Sequence, residues 1–402
     1  MRIITLLIIL LLAAVPATAA DLEWVKVSED NKGFVLAESG KPFIPWGFNY
    51  DHEGDGKLIE DYWDDQWPRK HATGWIGFYW GMTPDEIRPA KTIPKAMTLS
   101  WLGLFQEKTP QIHGQAATVT FQQGDGTLRI AIGGQSVAEY VFNDEQVRRP
   151  YFRHLRTRSG VQVTRNHPPV KEQDLDDHPT MHPGLWLAFG DLDGADFWRN
   201  KGRVKHVRFL GQPTGGAGKG SFTVRNIYVA DGRTICTEDC AIKISVRPDG
   251  WLLDWSSTFY SEKGDFTFGD QEEMGFGVRV ATPLAVVNGG TITDSEGRKN
   301  GKEVWGKQSD WCKYSGVIDG QRIGIVLMPH PKNFRRSWFH ARDYGLLLAN
   351  PFGRNAFTKG EKSRVMVKKG VKFRLRFGAR VYSVELGHML DVPTTYREFV
   401  YE

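Results

Sequence analysis

Histidine is the side chain whose charge changes near neutral pH. Beside a carboxylate it can move protons, ligate a metal or hold a hydroxyl-rich ligand. The sequence concentrates that chemistry in residues 177–198, DHPTMHPGLWLAFGDLDGADFW. His178 and His182 flank Pro179-Thr180-Met181, and Asp177 directly precedes the first histidine. On a helix that spacing would set both rings on one face, but Pro179 and Pro183 favour an extended or turn segment. Such a segment can still converge both imidazoles on one ligand. Three chemistries fit the pattern. The histidines can serve as general acid and base, with Asp177 orienting one of them. Asp177, His178 and His182 can hold a divalent metal, the alternative to a cofactor-free site. All three can also be a structural hydrogen-bonded network beneath an aromatic core.

Four further clusters join ionisable or aromatic residues to turn residues, the composition of binding loops carried on a rigid sheet. Residues 149–158 read RPYFRHLRTR and contribute Arg153 and His154. Residues 271–279 read QEEMGFGVR; adjacent Glu272 and Glu273 point to opposite sides if extended, so one of them faces a pocket with Arg279 as its partner. Residues 305–311, WGKQSDW, begin with Trp305. Residues 330–353 hold His330 and Asn333, then WFHARDYG, then NPFG. On a strand His340 and Arg342 share a face while Asp343 points away. Arg342 suits a carboxylate or a diol, or an ion pair with Asp343 or Glu272. The acid–base set is therefore His178, His182, His340, Asp343 and Glu273. The ligand-binding set is Arg153, His154, Asp177, Trp186, Arg279, Trp305, His330, Asn333 and Arg342. Trp186, Trp198, Trp305 and Trp311 can stack on sugar rings or pack the core.

The elements that must carry these residues are strands. Alternating apolar patterns bounded by turn signals predict strands over 117–122, 128–132, 137–142, 204–210, 221–229, 241–246, 251–260, 276–281, 321–328, 344–348, 363–367 and 371–377. Gly124-Asp125-Gly126 and Gly133-Gly134 read as hairpin turns. No long helical periodicity and no internal repeat is evident, so residues 115–402 read as one large antiparallel β-sandwich. With 14 tryptophans and 12% aromatic residues, a folded rather than a disordered chain is expected.

Before the sandwich the pattern is irregular. Residues 1–20 read as a secretory signal peptide: Arg2, an apolar run, then small residues with cleavage near Ala19 or Ala20. The apolar run is shorter than the ~20 residues a membrane span needs, and no later stretch spans. An exported protein, periplasmic or extracellular, is expected, with no transmembrane segment in the mature chain. Residues 69–114, rich in proline and aromatics, read as a linker or clasp. The formal charge of +5 comes from interspersed residues, which gives no case for nucleic acid. Cys236, Cys240 and Cys312 leave at least one free thiol and read as structural. The oligomeric state is left open.

Two resemblances add to this. Residues 24–68, including FVLAESGKPFIPWGFNYDHEGDGKLIEDYWDDQW, resemble the start of exported cellulase-type glycoside hydrolases. The barrel of ~250 residues that should follow is missing, so no catalytic glutamate is carried over and 21–68 reads as a leader remnant. From about 115 to 384 the words RPYFRHLRT, DHP…HPGLWLAFGD…DFW, EEMGFGVR, WGK…DW and HARDYGLLLANPFG are similar to the family labelled "methane oxygenase PmoA". That label implies a membrane-embedded copper oxygenase subunit, which a chain without spanning segments does not support. The resemblance implies instead a galactose-mutarotase-like supersandwich that binds sugars in a groove lined by His, Arg, Asp, Glu and Trp. That last step is an analogy of fold. The favoured function is a carbohydrate-active protein using a His/acid pair for epimerase, lyase or glycoside hydrolase chemistry. Non-catalytic carbohydrate binding and a metal-dependent oxygenase or hydrolase at His178 and His182 are the alternatives.

Overall fold

The computed structural model describes residues 25–27, 34–36, 41–43 and 117–402. The chain divides into two units, Met1–Gln111 and Ile112–Glu402. In the first, β1 (Val25–Val27), β2 (Phe34–Leu36) and β3 (Pro42–Phe43) pair antiparallel in that order. The segment read as a signal peptide, the rest of the expected leader and the expected 69–114 linker or clasp lie outside the described residues.

The second unit follows the alternation of its sequence. Its first strands are β4 (Val119–Gln123), β5 (Thr127–Ile132), β6 (Gln135–Val141), β7 (Tyr151–Arg153), β8 (Leu185–Phe189), β9 (Arg203–Phe209) and β10 (Thr214–Gly216). Three long strands follow, β11 (Lys219–Ala230), β12 (Arg233–Arg247) and β13 (Gly250–Tyr260), then β14 (Phe266–Phe268), β15 (Met274–Arg279) and β16 (Thr291–Asp294). The chain ends with β17 (Lys307–Gln308), β18 (Cys312–Ile318), β19 (Gln321–Pro329), β20 (Trp338–Arg342), β21 (Leu346–Asn350), β22 (Val365–Val367) and β23 (Phe373–Glu385). Helices are short: α1 (Asn300–Val304), α2 (Arg354–Thr358) and α3 (Val392–Tyr401). One nine-stranded sheet runs β10-β11-β12-β13-β23-β19-β18-β16, with β9 also on β11. The other nine-stranded sheet runs β17-β20-β21-β15-β8-β7-β6-β5-β4. The expected all-β antiparallel sandwich is what the chain forms.

Apolar side chains at alternate positions fill the space between the two sheets. β11 shows the period directly, with every second residue from Gly220 to Ala230 buried. Phe276 of one sheet stacks on Phe377 of the other at 5.1 Å, and Phe152 meets Trp255 edge-on at 5.6 Å. Cys236, Cys240 and Cys312 are free and buried in this core. The outer face of the first sheet is covered by α3, whose Phe399 and Val392 pack on Leu252, Val326, Met328 and Tyr382. Asp391 caps that helix by accepting from the Thr394 amide at 3.0 Å, and Pro393 sits in its first turn. Among the described residues no helix is long and apolar enough to cross a membrane.

Among the buried acids Glu238 lies within the sandwich. Glu238 on β12 accepts hydrogen bonds from Asn226 Nδ2 at 3.0 Å, from the Ser257 hydroxyl and, at 3.5 Å, from the Tyr228 hydroxyl. Burial raises its carboxyl pKa, and the hydrogen bonds only partly offset that. A carboxyl whose folded pKa is raised contributes full stability below its unfolded value and loses it as pH rises through the folded one. Glu238→Gln keeps the shape and cannot ionise. Urea melts are therefore expected to show the variant gaining on the wild type as pH rises from 5 to 9; a gap independent of pH would contradict an ionising Glu238.

Candidate functional site

The outer face of the second sheet is where the polar words of the sequence meet. Strand register sets two rows across it. His340 lies opposite Leu348, Leu348 opposite Gly277, and Gly277 opposite Trp186. The next row holds Arg342, Leu346 and Arg279. At ~4.8 Å per strand the backbones of His340 and Trp186 are about 14 Å apart. Gly277 matters because it has no side chain: a Cβ there would stand 3.0 Å from the Trp186 ring, which lies across it.

Above Trp186 the stretch 177–198 folds back on itself. The Trp186 and His182 rings stack at 5.4 Å and 9°, His182 and His178 at 4.8 Å and 23°, and His178 and Tyr344 at 6.3 Å and 12°. Trp198 meets both Trp186 and His182 edge-on. The turn, one of the two alternatives the prolines left open, is what brings the histidines together: the His182 amide donates to the His178 carbonyl at 3.0 Å, with His178 itself at φ 52°.

Three arginines hold this loop on the sheet. Arg165 donates to the carbonyls of Leu175, Asp177 and His182 at 2.6, 2.8 and 3.2 Å. Arg149 donates to the Met181 carbonyl at 2.6 Å and the Trp198 carbonyl at 3.0 Å. Arg279 grips Asp177 with two bonds, Nη1 to Oδ2 at 2.8 Å and Nη2 to Oδ1 at 2.6 Å, while its guanidinium lies 4.5 Å from the Tyr344 ring centre. Burial alone would raise the Asp177 pKa, but hydrogen bonds from Arg279 and His178 outweigh it and hold the carboxyl at about 2.

Only the top of the column is open. The His178 side chain is 44% exposed, and its Nδ1 donates to Asp177 Oδ2 at 2.8 Å. This fixes the tautomer and leaves Nε2 free to exchange a proton. His182 is 3% exposed and its Nδ1 has no partner. Burial, with Arg279, His178, Arg165 and Arg149 around it, pushes its pKa down and keeps it neutral.

A second cluster lies at the β20 end of the rows. Arg342 Nε donates to His340 Nε2 at 2.9 Å, so the buried imidazole is neutral with its proton on Nδ1; burial and then Arg342 hold its pKa at about 3. Glu272 Oε2 stands 3.5 Å from Arg342 and 3.9 Å from His340. Burial raises the Glu272 carboxyl against the opposing pull of Arg342. The Arg342 guanidinium lies 5.5 Å from the Trp305 ring centre. Between the clusters stands Tyr344, in the three-residue turn joining β20 to β21, with Gly345 at φ 111°. Its hydroxyl is within electrostatic reach of Asp177 and Arg279 on one side and Arg342 and Glu273 on the other.

The structure thus brings Asp177, His178, His182, Trp186 and Arg279 into one column, and His340, Arg342 and Trp305 into a second group. It corrects other expectations. His182 and His340 are too deeply buried to meet a substrate directly, and the fully buried Trp186 offers it no face. Asp343 points away from His340 and accepts from the Gly301 amide at 2.7 Å, anchoring α1. Glu273 pairs with Arg199 at 3.0 Å, and Glu272 is the acid beside His340. Arg153 on β7 is paired with Glu139 at 2.6 Å, and His154 follows it at φ 53° beyond the column. His330 and Asn333 are not on this face: His330 lies against Val400 and Phe399 of α3, and Asn333 bonds the backbone of Arg376 on β23. Tyr344, Glu272 and the positioning arginines Arg149 and Arg165 were not among the predicted site residues. Tyr344 and Arg149 lie within the recurring words, whereas no sequence signal marks Arg165, because its partners are main-chain carbonyls.

Asp177, His178 and His182 offer ligand atoms within 4.8 Å of one another. They fit a divalent cation poorly. Both Asp177 oxygens are held by Arg279, and Arg165 stands 3.6 Å away. A cation would have to displace one guanidinium and sit beside another. Incubation with a chelator is accordingly expected to leave the melting temperature unchanged in differential scanning fluorimetry; a marked drop restored by zinc would show a resident metal.

Fold and site together define a two-sheet β-sandwich with a histidine–carboxylate face on its second sheet. Residues 127–388 match the family described as "Family of unknown function (DUF6807)", and the chain belongs to that family. The match carries this description and not the PmoA label, and it includes every residue of the two clusters. No curated protein matches the chain. Among solved structures, similarity is found to a galactose 1-epimerase from Lactobacillus acidophilus NCFM, at 7% identity over 67% of this chain and 99% of that one, TM-score 0.33. A galactose mutarotase-like protein from Lactobacillus casei ATCC 334 gives 10% identity over 66% and 100%, TM-score 0.29. An alpha-N-acetylgalactosaminidase from Bifidobacterium bifidum gives 10% over 72% of this chain and 38% of that one, TM-score 0.28. At these scores none of them bears on activity.

Proposed function

We propose that this protein is an exported, carbohydrate-active protein that transfers protons to and from a sugar at the His178–Glu272 face, without a metal. One observation carries the reading. His178, oriented by Asp177 and open at Nε2, stacks on Tyr344, which is also within electrostatic reach of Arg342, and Arg342 stands 3.5 Å from Glu272, whose carboxyl is raised by burial. A histidine and a carboxylic acid able to serve as base and acid on one face are what epimerisation, elimination or glycoside hydrolysis requires. The exposed strip alternates donors and acceptors (imidazole, phenol, guanidinium, carboxylate), which suits a ligand rich in hydroxyl groups. Trp186 and Trp198 are sealed from solvent and cannot stack on a sugar, which leaves recognition on the column to its polar side chains.

The test is a panel of mono- and oligosaccharides followed by proton NMR for anomer exchange, elimination products and released sugars. Turnover of one class that Glu272→Gln suppresses supports the proposal. Binding without turnover, undiminished in the variant, favours a non-catalytic carbohydrate-binding protein. Neither turnover nor binding across the panel overturns the proposal.

A further inference from the structure

A pocket of about 340 Å³ lies between the segment that follows β6 and the start of β9, apart from the histidine face. Its lining is strongly basic: Arg148, Arg149, Arg203, Lys205 and His206, with Asp144 as the one acid. Asp144 is already committed. Its oxygens accept from the amides of Gln146 and Val147 at 2.7 and 2.9 Å and from the Tyr151 hydroxyl at 2.7 Å. Arg148, Arg203 and Lys205 have no ion pair and no side-chain hydrogen bond among the described residues. Arg203 and Lys205 stand two apart on β9, so they share one side of the strand. Uncompensated like charges this close repel, and an anion between them removes the repulsion.

One buried group also waits for a partner at this pocket. Arg149 is only 3% exposed, and its Nε has no acceptor although its terminal nitrogens are bonded to carbonyls and to Asn200. Buried donors are rarely left unpaired, so a ligand acceptor is the natural completion.

We propose that this pocket binds a tetrahedral oxyanion, a phosphate ester (dianion) or a sulfate ester (monoanion), carried on a ligand the size of one sugar residue. Three unpaired cations call for more acceptor oxygens than the two of a carboxylate, and a volume near 340 Å³ at the lower end of small-molecule sites holds more than a free ion. Arg149 forms the partition with the histidine column, since its guanidinium also lies 5.9 Å from the Trp186 ring centre and 6.0 Å from that of Trp198. The site stands independently of the proton-transfer proposal.

The experiment uses the full chain and titrates sodium sulfate and sodium phosphate, then glucose 6-sulfate, glucose 6-phosphate and glucose, by calorimetry at constant ionic strength set with chloride. Sulfate stabilises proteins generally by exclusion from their surface, so the readout is the difference between wild type and Arg203→Gln/Lys205→Gln. The wild type is expected to bind one of the two esters with the double variant weakened at least about tenfold, and glucose to give no signal at this site. Preference between the two esters identifies the source of the group. Lys205→Gln alone, at an exposed position, serves if the double variant does not fold. Equal affinity of wild type and variant for both esters, or no binding beyond the chloride control, overturns the proposal.

Discussion

Arg279→Met is expected to lose about 2–4 kcal/mol in urea unfolding at pH 7 and to free the histidine loop from the sheet. The guanidinium is 1% exposed and makes both of its bonds to Asp177. Removing one member of a buried ion pair leaves the other uncompensated, which costs more than the pair itself contributes. Asp177 keeps a third of its exposure, so water takes part of that cost and the upper end of the usual range does not apply. The acid limb checks the mechanism. Asp177 has a folded pKa depressed to about 2, so its contribution is present above the unfolded carboxylate value near ~4 and is lost as pH falls through 2. The wild type should lose stability across that window more steeply than Arg279→Met. If both fall in parallel, the Arg279–Asp177 pair is not what fastens the loop.

That pair is only half legible in the sequence. EEMGFGVR marks Arg279, and DHP marks Asp177, but nothing local says that residues 102 apart meet. Where one face of a strand is wet, as on β11 or β12, alternation reveals the strand. It misses β8, LWLAF, and sets β21 two residues early, at 344–348, because the five residues of each strand are all buried and carry no period. Around His340 the alternation correctly tells that His340 and Arg342 share a face and that Asp343 turns away. It cannot tell that the face is covered at His340. Exposure depends on what packs above the sheet, and His340 lies under Phe357 of α2 and beside the backbone of Glu272. His330 and Asn333 escape a local reading for a related reason: they follow β19, which belongs to the opposite sheet, and sheet membership is decided by long-range pairing. The prolines around His178 exclude a long helix but not the single turn that stacks the two rings.

That stacking separates two histidines that look equivalent in the sequence, and the separation can be measured. His178→Gln is expected to reduce kcat/KM on the sugar identified above by 10²- to 10⁴-fold, the usual contribution of a positioned acid–base group. Its unfolding midpoint should stay near that of the wild type, because the side chain is 44% exposed. His182→Ala should do the reverse first. It removes a 3%-exposed ring packed between His178 and Trp186, and the cavity left behind costs about 2–4 kcal/mol. Its activity then falls because His178 and Asp177 lose the surface that positions them. The pH profile adds a sign that a purely structural role would not produce. Glu272, raised by burial, donates a proton only while protonated, so turnover should decline as pH climbs through its folded pKa, and Glu272→Gln should abolish that limb. Full activity in His178→Gln would remove the imidazole from the chemistry and leave the column as the scaffold that holds the loop against the sheet.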